Sequence, residues 1–148
     1  MLKQLARNWK LTRAAIWAML TIALLPLTRI SAQTSSCRTA DANSARLLEF
    51  VRFLVTTTDP VQTRIRDSLG VAPMAASRVS LVTTAKTCSS AVAAYNAATN
   101  SVGRPRNVHL VSAGKTYAVF DPDDRGGEWS VTLFFDSKFK FVRSTLGP

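Results

Sequence analysis

Hydrophobic and polar positions divide the chain into three stretches of different period. Residues 14–28 (AAIWAMLTIALLPLT) are apolar almost without a break. From residue 41 to about 100, apolar side chains recur at three- and four-residue spacing, the signature of helices with one buried stripe. From residue 107 to 145 the spacing shortens to two, as in strands with two unlike faces.

The helical stretch resolves into three elements. Asp41 or Thr39 can cap a first helix running to about Val55, because a short side-chain oxygen accepts a free backbone N–H. Leu47, Phe50, Val51 and Leu54 form its stripe, Leu48 and Phe53 widen it, and Thr56, Thr57 and Thr58 end it. Asp59-Pro60 starts a second helix, since proline suits the first turn, where its missing N–H needs no partner. Val61, Ile65 and Leu69 share one face of it, and Gly70 supplies a left-handed stop. Residues 71–76 connect to a short alternating strand at 78–83. A third helix follows Thr83 or Thr84 to about residue 100, with Cys88, Val92 and Tyr95 on one face beside the small Ala91, Ala94 and Ala98.

The remainder predicts four strands, at 107–112, 116–121, 129–136 and 139–145. Short connections between consecutive strands favour antiparallel pairing. The expected fold class is therefore α+β: about three helices packed on a C-terminal antiparallel β-meander of about four strands. The helices would cover the more apolar face in a two-layer sandwich. The expected boundaries are a signal peptide at 1–32, an N-terminal arm at 33–40, and a single domain at 41–148, helical over 41–100 and meander over 107–145.

The signal-peptide expectation rests on charge as well as hydropathy. Lys3, Arg7, Lys10 and Arg13 precede the apolar run, and Pro26, Arg29 and Ala32 follow it. At about 1.5 Å per residue the run reaches only about 22 Å, against a hydrocarbon core of about 30 Å. A basic start, a short apolar middle and a small residue for cleavage make an export signal. Retained, the same segment would act as an anchor, the one route to a membrane considered for this chain.

Removing the leader changes the charge. The whole chain carries +10; beyond residue 32 there are 14 Lys and Arg against nine Asp and Glu, a net +5. That is an ordinary solvated surface with some scope for polyanions. Nucleic acid is argued against, because no basic helix face or recognised motif is present. In an exported chain the two cysteines, Cys37 and Cys88, read as one disulfide. Two cysteines and one histidine make a poor zinc set.

Candidate chemistry is sparse. The loop Asp121, Pro122, Asp123, Asp124, Arg125, Gly126, Gly127, Glu128 begins like a calcium loop, and Asp121, Asp123, Asp124 and Glu128 are its weak metal candidates. It departs where Arg125 takes the fifth position and Thr132 the twelfth, which should hold a bidentate glutamate. His109 is the one histidine, and a hydrolase centre would have to use it. No Gly-x-Ser-x-Gly lies beyond the leader. A carboxylate pair from Glu49 and Glu128 has little room for a cleft. Lys115, Tyr117, Trp129, Lys138, Lys140 and Arg143 interleave basic and aromatic residues along the strands and form a possible partner-binding face; the plainer reading is edge lysines that prevent aggregation.

The residues Val82-Thr83, Cys88, Ala91 and Tyr95, followed by Tyr117-Ala118-Val119-Phe120-Asp121-Pro122 and Gly127-Glu128-Trp129, resemble small exported bacterial proteins of uncharacterised function. The resemblance implies export and one domain, and it supplies no catalytic residues. The helix-plus-meander layout is also similar to cystatin-like inhibitor and binding modules, at the level of fold alone. The expectation is an exported, non-enzymatic domain without a cofactor, binding a protein, a glycan or an envelope polymer. A small secreted or periplasmic hydrolase and a membrane-tethered accessory protein are the alternatives.

Overall fold

A computed structural model describes residues 35–123 and 131–146. The leader at 1–32, and the residues Asp124, Glu128 and Trp129, lie outside the described residues. Among the described residues the fold is α+β, with three α-helices and a mixed sheet. The helices are α1 (Ala42–Thr56), α2 (Pro60–Ser68) and α3 (Ala85–Ala98). The strands are β1 (Ser36–Cys37), β2 (Val79–Leu81), β3 (Asn107–Ala113), β4 (Thr116–Phe120), β5 (Val131–Asp136) and β6 (Phe141–Leu146).

The helix starts follow the local chemistry. Asp41 caps α1 by accepting from the Ser44 N–H at 2.9 Å. Asp59 caps α2 by accepting from the N–H groups of Val61 and Gln62, with Pro60 in the first turn. Thr84 precedes α3 without a side-chain cap; its hydroxyl bonds Thr87 instead. Gly70 takes φ +70° after α2, a left-handed conformation that suits glycine, and its carbonyl accepts from the Thr116 hydroxyl at 2.8 Å.

The expected sheet needs correction. Among the described residues it has six strands, and it is mixed rather than purely antiparallel. β3, β4, β5 and β6 each pair antiparallel with the next. On its other edge β3 carries two short strands end to end. β1 runs parallel along Asn107 and Val108, and β2 runs antiparallel along Val111 to Ala113. The segment expected to be a loose arm is therefore partly strand. It adds hydrogen bonds from Ser36 N–H to the Arg106 carbonyl and from Arg38 N–H to the Val108 carbonyl.

The two-layer expectation also fails. Helices lie on both faces, because the central strands bury side chains of both parities: Val108 to Val111 on β3, Ala118 to Phe120 on β4, and Leu133 to Phe135 on β5. On one face Leu47, Val51, Leu54 and Val55 of α1 pack with Val79, Val111, Ala113, Ala118, Phe120 and Phe134. On the other, Ala91, Val92 and Tyr95 of α3 pack with Val108, Leu110, Val119, Leu133 and Phe135. Phe134 and Phe135 are fully buried on opposite sides, each worth roughly 1.5–3 kcal/mol over an exposed position.

The stripe expected on α2 is not buried. Leu69 just beyond the helix is in the core, but Val61 is 63% exposed, and the buried residue within the helix is Arg66. Its guanidinium bonds the Asp67 carboxylate at 2.8 Å. Cys37 and Cys88 form a disulfide with Cα atoms 5.6 Å apart, tying β1 to the first turn of α3. Closing a loop of this length is worth about 4 kcal/mol on the chain-entropy account. Among the described residues no helix is long and apolar enough to cross a membrane.

Candidate functional site: a basic aromatic corner of the sheet

The β3–β4 turn and the β5–β6 connection lie side by side, because Thr116 pairs with Asp136. This puts Lys115, Lys138 and Lys140 at one end of the sheet, all exposed. Asp136 shapes the second connection. Its carboxylate accepts the N–H groups of Lys138 and Lys140 at 2.8 and 2.9 Å. Those bonds, then the lysine charges, hold its carboxyl below the usual carboxylate range. Phe139 follows in a left-handed conformation, φ +58°, which swings its ring back over the α3 face. There it stacks on Tyr117, ring centroids 4.6 Å apart and planes 7° from parallel. Both rings are half-buried.

α3 lies mainly along β1 and β3 and packs with Val119, Leu133 and Phe135 of β4 and β5, and Tyr117, Phe139 and Phe141 extend the cover of that face. The Phe141 ring meets Phe135 edge-on at 5.9 Å. Between the end of α3 and β5–β6 a groove of about 480 Å³ remains, lined by Leu133 and Phe141 on one side and, over most of its surface, by Thr99, Asn100, Ser101 and Ser144. Stacked aromatics beside ammonium groups can hold flat, polar or anionic surfaces by stacking and charge together.

The structure gathers Lys115, Tyr117, Lys138 and Lys140 and separates Arg143 from them. Arg143 pairs with Phe134, whose ring is in the α1-side core, so Arg143 projects on that side of β6. In the sequence Phe139 and Phe141 stand out only as strand residues. The signal for the stack was the turn Asp136-Ser137-Lys138, which makes a following left-handed residue plausible.

The other candidates are engaged in holding the fold. Asp121 is buried and ion-paired with Arg106 at 2.7 Å, and Arg106 lies over the Tyr95 ring, 4.9 Å from its centre. Asp123 pairs with Arg38 at 3.1 Å. Two of the four carboxylates proposed for a cation thus serve arginines, and among the described residues no group of three His, Cys, Asp or Glu could hold a metal.

His109 is fully buried on the α1 side. Its Nδ1 lies 2.9 Å from the Ser44 hydroxyl and 3.6 Å from Asp41 Oδ1. Its Nε2 meets no hydrogen-bond partner. A hydrolase needs nucleophile and acid on opposite ring nitrogens and an open face. Here serine and aspartate converge on the same nitrogen, away from solvent. A proton on Nδ1 leaves no buried N–H without an acceptor, which favours the neutral ring. Burial then pushes its pKa below the usual imidazole value, against the pull of Asp41 and with the push of Arg38. The cluster is a clasp between β3 and the start of α1.

No family model, no curated protein and no solved structure matches this chain.

Proposed function

We propose that this is a non-enzymatic binding domain of an oxidising compartment, which docks a macromolecular partner on the basic aromatic corner. One observation carries the reading: the half-buried Tyr117–Phe139 stack lies at the end of the sheet whose two connections carry the exposed Lys115, Lys138 and Lys140. Rings needed only for the core gain nothing from being left half open beside three cations. The disulfide fits a compartment outside the reducing cytosol, and residues 1–32 act as the export signal in this reading. The four C-terminal strands work as an antiparallel platform for the corner.

The test uses the oxidised domain and two labelled probes, polyglutamate and a sulfated polysaccharide. Lys138→Glu with Lys140→Glu should weaken binding of at least one probe by about tenfold or more, each lost pair being worth on the order of 1 kcal/mol. Arg64→Glu, on exposed α2, should leave it unchanged. Equal losses from both variants mean diffuse attraction and sink the reading. Intact mass from the native host checks the export step, with a chain starting at Gln33 expected. A retained leader points to the membrane-tethered alternative.

A further inference from the structure

The two edges of the sheet are finished differently. The β3 edge is occupied by β1 and β2. The β6 edge pairs with no strand among the described residues, and Phe141, Val142 and Leu146 on it are exposed. Nearly every protein blunts such an edge, because its free N–H and C=O groups template another strand. The side chains of β6 also differ by face. Phe141 and Ser144 line the groove below α3, whereas Arg143 stands on the opposite side, opposite Phe134 in the pairing. No acidic residue lies on β6, and Lys140 immediately precedes it.

We infer that β6 receives an extended peptide as a further strand, with acidic side chains on the Arg143 side and uncharged polar ones, of the threonine kind, turned into the groove. Alternation of side chains along a strand supplies this two-sided recognition directly. The inference rests on the binding reading above and extends its surface from the corner along the adjoining edge. A second copy of this chain fits the edge less well. Antiparallel pairing of two β6 strands would bring both Arg143 side chains to one face within a residue or two, where like charges repel.

The probe is a labelled eight-residue peptide alternating threonine and glutamate, added to the oxidised domain and followed by fluorescence anisotropy. Three controls accompany it: the threonine–lysine version, the same acidic peptide N-methylated at alternate residues, and the sulfated polysaccharide. The expected result is saturable binding of the acidic peptide, a loss of tenfold or more on N-methylation, and a similar loss in Arg143→Glu. Amide exchange should slow along residues 141–146 in the complex. Acidic-peptide binding that survives N-methylation but is lost in the Lys138→Glu, Lys140→Glu variant leaves the corner standing and overturns strand addition. Polysaccharide binding with no peptide binding does the same and makes the partner a glycan. Failure of every probe overturns both readings, and a β6-dependent dimer by sedimentation replaces the peptide with a second copy.

Discussion

The two faces of the sheet are built from similar strands and closed in unlike ways. On one, α1 brings four buried aliphatic side chains over Val111, Ala118, Phe120 and Phe134. On the other, α3 is rich in alanine and sits toward β1 and β3. A helix of small residues approaches closely but spreads little, so Tyr117, Phe139 and Phe141 complete the cover and remain in reach of solvent. The difference teaches that a surface for recognition can arise where a core is closed by side chains instead of by an element.

The largest effects should fall on the α1 face. Phe134→Ala removes a fully buried ring and should cost about 3–5 kcal/mol in urea unfolding; a loss under about 1 kcal/mol would break the contrast. On the α3 side, replacing Cys37 and Cys88 with serine should cost about 2–4 kcal/mol, with the mature fold still recognisable by circular dichroism at low temperature.

The histidine clasp gives a pH test that only the α1 face should answer. Burial lowers the His109 pKa, so the unfolded chain takes up the proton first. Stability is complete above about pH 6.5 and falls as pH drops from there through the depressed folded value. His109→Gln should flatten this limb. Asp41 and Asp136 are depressed carboxylates, so their contributions are lost only as pH falls below about 4. A wild-type profile flat between pH 7 and 5 would contradict the clasp.

The smallest stability effect belongs to the corner. Tyr117→Leu, which keeps most of the apolar burial and removes the ring pair, should cost about 0.5–1.5 kcal/mol, the worth of an aromatic pair, yet should weaken binding of polyglutamate or the sulfated polysaccharide severalfold. A large loss of stability with unchanged binding would make the stack a piece of core.

Much of this architecture was legible because it is local. The Asp41 and Asp59-Pro60 helix starts, the Gly70 stop and the β3 to β6 segments follow from caps and periods. What escaped depends on distant partners. Ser36 and Cys37 form a strand only because β3 offers an edge 71 residues away, and nothing in Ser-Ser-Cys-Arg announces it. Val61 and Ile65 have the spacing of a core stripe, but whether a stripe is covered depends on its neighbours. Nothing in Gly-Arg-Pro-Arg-Asn sets Arg106 apart from a solvated cation; burial beside Asp121 and Tyr95 makes it an anchor. The corner was half visible, as alternating lysines and aromatics, while its assembly depended on the strand register and on the backbone at Phe139.

The Cys37–Cys88 bond also decides how the domain would bear tension. Pulled from its two ends, the covalent path runs from Cys37 across to Cys88 and onward through α3 and β3. The intervening residues, which include α1, α2 and β2, fall off the load-bearing route. A tug on the N-terminal side would strain the two-residue β1 ladder and then the α3 side of the molecule, while the tightly packed α1 layer is stressed only after the C-terminal strands begin to peel. Reduction would reroute that force through α1 from the first residue, turning a shielded layer into the first to yield.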